Sequence, residues 1–130
     1  MDALLGLWER ACAPASVSDR AGPLLELLAF DPRAIVIADA DSTVIGSVIA
    51  AWNGWRGSFY KLAVLPQHRR RGLATALVRE GERRLRERGA LRFDAIVADD
   101  DAAPMGFWTA IGYRIQDDRR RFVRDLARSR

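Results

Sequence analysis

The residues of this chain best suited to chemistry gather in the stretch Arg69-Arg70-Arg71-Gly72-Leu73-Ala74-Thr75. It follows an apolar run, residues 59–65, closed by Pro66, and it opens a helical pattern over residues 72–88. A strand that turns tightly into a helix presents unpaired backbone N–H groups at the helix start. Together with the positive end of the helix dipole they form a site for an anion. Gly72 lets the backbone approach that anion closely, and Ala74 is too small to block it. Arg69, Arg70 and Arg71 add fixed positive charge and forked phosphate donors. The plainer alternative is a strand-to-helix turn carrying solvated arginines. A nucleotide-hydrolysing loop does not fit, because no Gly-Lys-Ser/Thr follows the glycine.

Size and composition bound what such a site can serve. A chain of 130 residues suits one domain, residues 1–130, with one core. No apolar run reaches the ~18 residues of a membrane span. The N-terminus lacks the basic flank of a signal peptide. The single cysteine, Cys12, precludes an internal disulfide and suits a reducing cytoplasm. With one histidine, His68, and one cysteine, no metal site is expected. The formal charge of +4 is carried almost wholly by arginine, Lys61 being the only lysine. A basic protein seeks polyanions. Nucleic acid is one candidate, through Arg119-Arg120-Arg121-Phe122-Val123-Arg124, but no helix-turn-helix, zinc or ribonucleoprotein motif supports it.

The elements that must position the arginine loop read in order. Residues 4–12 predict a helix, with Leu4, Leu5, Leu7, Trp8 and Ala11 near one face. Ser18 or Asp19 can cap a second, short helix carrying Leu24, Leu25, Leu27 and Leu28. Residues 34–38 predict a strand, and residues 44–52 its antiparallel return. Asn53-Gly54 signals a hairpin into the strand at residues 59–65. On the next helix, Glu80 with Arg84 and Glu82 with Arg86 are spaced as surface pairs. Residues 91–97 predict a strand parallel to 59–65, since a helix joins the two. A helix over residues 103–111, ended by Gly112, and a closing hairpin of residues 113–116 and 120–126 complete the chain.

The spacing Arg69-x-x-Gly72-x-Ala74 resembles the R/Q-x-x-G-x-G/A signature of the GCN5-related N-acetyltransferase (GNAT) superfamily. A second stretch, Asp101-Ala102-Ala103-Pro104-Met105-Gly106-Phe107-Trp108-Thr109-Ala110-Ile111-Gly112-Tyr113, resembles the family's last motif, N-x-x-A-x-x-F-Y-x-x-x-G-F. Asp101 stands where Asn is usual, Pro104 at the alanine, Trp108 at the tyrosine and Tyr113 at the final phenylalanine. Two motifs in the right order on the right elements are more specific than either alone. The resemblance implies an α/β (α+β) acyl-CoA N-acyltransferase fold, a mixed central sheet flanked by helices. The family usually begins with a strand before the first helix, and here the chain starts inside that helix: either that strand is dispensable or the true start lies upstream. Its absence would leave the strand at 34–38 as an open edge, a surface for a second copy of the chain.

The resemblance further implies acetyl-CoA as co-substrate and an amine as acceptor. In the family the two parallel strands splay apart and pantetheine adds to the open edge. Backbone at Leu62, Ala63 and Val64 would hold it, and an N–H at Leu62 would face the developing oxyanion. Amides from Arg70 through Leu73 to Thr75 would hold the pyrophosphate, with the Arg69–Arg71 guanidinium groups near the ribose phosphate. Asp101 and Trp108 would complete the cofactor side. The acceptor attacks only as the neutral amine, so a base or a desolvating pocket is needed. Tyr60, Asp94, Asp99 and Asp100 stand near the splay; Tyr60 and Asp99 are the chosen pair. Trp108 replaces the tyrosine that often protonates the leaving thiolate in the family, and an indole N–H is no acid near neutral pH. The replacement motivates a competing reading, a non-catalytic acyl-CoA-binding domain. Trp8, Glu26 and the turn Asn53-Gly54-Trp55-Arg56 are expected to wall the acceptor side.

Overall fold

In the computed structural model, which describes residues 1–11, 16–97 and 102–126, the chain opens with helix α1 (Asp2–Arg10). Leu4, Leu7 and Trp8, three and four residues apart, lie on one face and are buried. Helix α2 (Ala21–Phe30) follows. The expected cap at Ser18 or Asp19 does not form: the N-cap is Arg20, in extended backbone and without a side-chain cap bond. The Asp19 carboxylate instead accepts from the Ser16 N–H at 2.8 Å and pairs with the Lys61 ammonium at 2.6 Å. These two partners occupy the carboxylate, which leaves the helix start uncapped by it.

Among the described residues four strands form one sheet in the order β1 (Ile35–Ala40), β2 (Thr43–Trp52), β3 (Gly57–Val64) and β4 (Phe93–Ala95). The first two pairings are antiparallel and β3–β4 is parallel. Asp41 and Ser42, at φ 50° and 65°, make the tight turn between β1 and β2, the backbone that a two-residue hairpin demands. At the next hairpin the Asn53 side chain accepts from the amides of Trp55 and Arg56 at 2.9 and 2.7 Å. Helix α3 (Leu73–Glu87) is the crossover between β3 and β4. Strand β2 is buried over residues 46–50 because both faces are covered. Gly46 and Ala50 face α3, and Ile49 packs with Leu4, Leu7 and Trp8 of α1.

The elements named so far belong to one unit, Met1–Ile96. Residues Val97–Arg130 form a second unit containing helix α4 (Ala102–Ala110). There the Tyr113 N–H returns to the Trp108 carbonyl at 3.0 Å, and Gly112, at φ 104°, makes the left-handed turn that ends the helix.

Three expectations are corrected. The strand expected over 91–97 is only Phe93–Ala95, with Leu91 98% exposed. The closing hairpin does not form. Residues 113–126 carry no strand, and Ile115, Phe122, Val123 and Leu126 are exposed. An isolated two-stranded hairpin is marginal in water, and the arginines flanking Phe122 and Val123 put charge on both of its faces. Glu82 does not pair with Arg86 on a wet surface. It is buried and takes both oxygens to Arg79, at 2.9 and 3.0 Å.

The edge of β1 is blunted at its start. Arg84 reaches from α3 and donates to the carbonyls of Arg33 and Ile35, at 3.1 and 3.3 Å. A guanidinium over an edge is one of the devices that discourage strand addition. Beside it Glu80 accepts from Arg83 and Arg84. These bonds, Arg83's first, hold its carboxyl down at about 2 from an ordinary 4.5. A depressed carboxyl contributes stability above its unfolded value and loses it as pH falls toward the folded one. Glu80→Gln is therefore expected to lower the thermal midpoint at pH 6, modestly because the cluster is at the surface. The gap to the unmodified protein should close between pH 4.5 and 2 in a series of melting curves.

Candidate active site

The arginine loop has the shape expected of an anion site. Strand β3 ends at Val64, and Pro66–His68 form a single 3-10 turn. Arg70 and Gly72 then adopt left-handed backbone, φ 63° and 76°. Gly72 is itself the N-cap of α3, where no side chain caps and no acid occupies the first turn. The amides of Leu73, Ala74 and Thr75 open the helix and have no carbonyl one turn earlier within it. Residues Ile45, His68, Arg71, Gly72, Leu73 and Ala76 line a depression of about 290 Å³ beside that terminus. Arg70 and Arg71 are exposed. Arg69 is committed elsewhere: its guanidinium donates to the Val64 carbonyl at 3.0 Å and the Ala11 carbonyl at 3.3 Å. It ties the end of β3 to the end of α1 and so holds the loop in place.

Among the described residues, the strand leading into that loop lacks a partner along part of one edge: β4 pairs with β3 only at Gly57, Ser58 and Phe59. β4 ends at Ala95, while β3 continues to Val64. The opening coincides with a break in the other ladder of β3. Ser47 lies opposite Ala63, and Ile49 opposite Tyr60. One residue of β2, Val48, thus spans two of β3, Lys61 and Leu62, which is a β-bulge. Lys61 takes the strain, at φ 55° in the middle of a strand.

Leu62 is half-buried, and Ala63 and Val64 are buried along this segment. Tyr60, 44% exposed, immediately precedes the bulge. It stands opposite Ile49, on the face of the sheet that α1 covers. Asp94 is exposed on β4. Asp99, Asp100 and Asp101 lie outside the described residues. Trp108 is buried within the second unit, edge-on to Phe107 and Tyr113 at 5.4 and 4.8 Å between centroids. Among the described residues no group of His, Cys, Asp and Glu could hold a metal.

The turn expected to wall the acceptor side stands elsewhere. Trp55 and Arg56 precede β3, at the end opposite the arginine loop. There, with Trp52, Arg88, Leu91 and Arg92, they line a separate groove of about 450 Å³. Glu26 is exposed on α2. Trp8 is buried under the sheet, near Lys61. Its indole N–H donates to Ser47 Oγ at 2.9 Å, in a buried bond beside the bulge. Ser47→Ala would leave that donor buried without an acceptor, at a cost of about 1–3 kcal/mol. A urea titration should show the midpoint fall with the slope unchanged.

Neither Lys61 nor Asp19 is expected at the site from sequence, Asp19 being read only as a possible helix cap. The signal was present for Lys61, the chain's single lysine set in an apolar run. For Asp19 there was none, since its partner lies 42 residues away.

With the loop, the open strand and the bulge in place, comparison with known proteins identifies the frame. The profile of the acetyltransferase (GNAT) family matches residues 4–113. The chain belongs to the GNAT acetyltransferase family. An acetyltransferase of Yersinia pestis (strain Pestoides F) is 33% identical over 111 residues, covering 85% of this chain and 79% of that protein. Among solved structures, an aminoglycoside 6'-N-acetyltransferase in complex with a CoA–acetylneamine bisubstrate analogue has a TM-score of 0.75 at 21% identity, covering 97% of this chain and 91% of its own. The PaiA N-acetyltransferase of Thermoplasma acidophilum, in complex with coenzyme A, has a TM-score of 0.75 at 17% identity, covering 89% and 84%. These likenesses carry the fold. The GNAT frame here is a mixed sheet flanked by helices, beginning at α1. Among its described residues no helix is long and apolar enough to cross a membrane.

Proposed function

We propose that residues 1–130 form one N-acetyltransferase domain that moves an acetyl group from acetyl-CoA to a primary amine of a small molecule or peptide. The observation that carries the reading is the conjunction on β3: one strand is bulged, has no β4 partner after Phe59 among the described residues, and runs into an uncapped helix start. Pantetheine would lie along Leu62, Ala63 and Val64. Its amides and carbonyls would replace the ladder that β4 leaves unmade. The pyrophosphate would sit on the amides of Arg70 to Thr75, with Arg70 and Arg71 free to reach phosphate oxygens. By the family resemblance, Asp101 and Trp108 would also belong to the cofactor site.

The neutral amine attacks the thioester carbonyl carbon, the C–S bond breaks, and the sulfur leaves as thiolate. The Leu62 N–H would stabilise the oxyanion between these steps. A proton leaves the amine and one reaches the sulfur. Tyr60, next to the bulge, and Asp99, later in the sequence than β4, would relay them. A thiol with a pKa near 8.5 leaves without a dedicated acid, so Trp108 does not forbid turnover.

The two aminoglycoside and PaiA structures place coenzyme A, or an analogue of it, on this fold in those proteins, and the mostly arginine-borne charge suits its phosphates. The reading places the protein in a reducing cytoplasm. A second copy would pair through β1 only beyond the carbonyls that Arg84 occupies, and light scattering at micromolar concentration separates dimer from monomer. The test of activity is chromatographic release of free CoA from acetyl-CoA with a panel of amines: an aminoglycoside, a polyamine and a peptide with a free α-amine. Release above hydrolysis with at least one supports transfer. Binding of acetyl-CoA with no release would favour a non-catalytic acyl-CoA-binding domain.

A further inference from the structure

The only lysine of the chain sits at the one position of β3 where a side chain is least welcome. A left-handed φ of 55° suits glycine or asparagine, yet Lys61 holds it within the bulge. Its side chain explains why. The ammonium lies 2.6 Å from Asp19 Oδ2, and the two side chains are only 13% and 11% exposed. It also lies 5.2 Å from the centroid of the Trp8 ring, within the range of a cation–π contact. Asp19 in turn accepts from the Ser16 N–H at 2.8 Å, and Trp8 donates to Ser47 at 2.9 Å. Ser47 is the β2 partner of Ala63, two residues beyond Lys61. The contacts thus branch at Lys61: one arm reaches the segment before α2 through Asp19, and the other passes through Trp8 of α1 to Ser47 of β2, beside the bulge.

A bulge without such a tie has an alternative. The strand can relax by one residue into regular pairing, and every side chain beyond the slip then changes face. Ala63, now buried among Leu4, Leu7 and Trp8, would be turned away from them. The tie from Lys61 to Asp19 opposes this relaxation. It also fixes where the segment just ahead of α2 lies on the sheet.

We propose that the Asp19–Lys61 pair is a latch that holds the β3 bulge open and seats the segment before α2 over it, making Lys61 a positioning residue for acyl transfer. The inference rests on the acetyl-transfer reading for its consequence, but the latch itself can be measured without an acceptor. In this geometry the Lys61 ammonium is engaged by Asp19, and the residue sets the backbone of Tyr60 and Leu62, between which it lies.

The experiment compares the full-length protein with Lys61→Met, Asp19→Asn and Lys61→Arg. Three readouts are taken: hydrogen exchange of peptides over residues 16–20 and 58–65, the calorimetric Kd for acetyl-CoA, and turnover with the best amine of the panel. Lys61→Met and Asp19→Asn are expected to raise exchange in both segments together, by tenfold or more. Turnover should fall at least tenfold while the acetyl-CoA Kd moves less than threefold, and Lys61→Arg should restore most of both. Unchanged exchange over residues 58–65 in Lys61→Met would overturn the latch, as would turnover within twofold of the unmodified protein. A Lys61→Met protein that melts below the assay temperature is replaced by Lys61→Gly, which removes the ammonium but suits the left-handed backbone. Rapid exchange in that variant supports the latch, and protected exchange overturns it. If the unmodified protein binds no acetyl-CoA, the transfer reading falls on its own, and exchange alone still decides the latch.

Discussion

Replacing Gly72 with valine is expected to weaken acetyl-CoA binding by about 30-fold while leaving the sheet and α1 intact. Gly72 is the N-cap of α3 at φ 76°, and an added Cβ would meet no atom within 4 Å. Space is therefore not the obstacle; backbone conformation is. A left-handed φ costs an L residue roughly 1–2 kcal/mol, and a β-branched one is the least tolerant. Valine escapes the cost by returning to negative φ, which rotates the peptide planes that lead into α3. The amides proposed to hold the pyrophosphate then no longer converge. Losing one charge-assisted hydrogen bond of about 2 kcal/mol corresponds to roughly a 30-fold change in Kd. Calorimetry with acetyl-CoA measures it. A circular dichroism melt should shift only slightly, because the loop is exposed. An unchanged Kd would mean that the α3 terminus does not carry the phosphates.

The second large effect is on stability. Gly81→Val is expected to destabilise the protein by about 3 kcal/mol, at the upper end of ordinary overpacking. Gly81 lies in the middle of α3, buried against the sheet. A Cβ there would come within 2.6 Å of Phe59 Cε1 and 3.1 Å of the Ala50 Cβ. The Phe59 ring cannot step aside, since it is 2% exposed and packs edge-on against Phe93 at 6.0 Å. Phe59 is also the last residue of β3 paired to β4. The strain therefore falls on the strand pair at the root of the proposed cofactor slot. Gly6→Ala in α1 is the control of opposite sign. No atom lies within 4 Å of its added Cβ, and it should gain about 0.5–1 kcal/mol from helix propensity alone. Denaturant midpoints of the two variants should move in opposite directions. Equal shifts would mean that α3 does not press on Phe59 as described.

Much of the frame was legible because local chemistry dictates it. Asn53-Gly54 can hardly be other than a turn, and Pro66 with Gly72 marks a strand that stops and a helix that starts. The parallel pairing of β3 and β4 follows from a helix standing between them. What escaped reading depends on distance or on register. The apolar run 59–65 reads as one regular strand, because a period of two does not reveal one inserted residue. The bulge at Lys61 is visible only against β2. The pairing of Lys61 with Asp19 joins residues 42 positions apart in the first unit. Glu82 was readable: it lies four residues after Val78 and three before Leu85, on the buried stripe, and Val78 and Leu85 are both core. Its charge drew it to a surface partner on paper, whereas the helix period places it inward. The hairpin expected after Gly112 shows the converse. Alternating apolar residues do not make strands where no face receives them.

The acetyltransferase account stands most directly on cofactor capture by β3 and the loop that follows it. The measurement is calorimetric titration of acetyl-CoA into the unmodified protein, with adenosine 3',5'-bisphosphate as the control ligand. The account predicts saturable one-to-one binding of acetyl-CoA, tighter than the control, because pyrophosphate amides and pantetheine slot both contribute. Absence of binding at millimolar acetyl-CoA, or binding no tighter than the control, would contradict it.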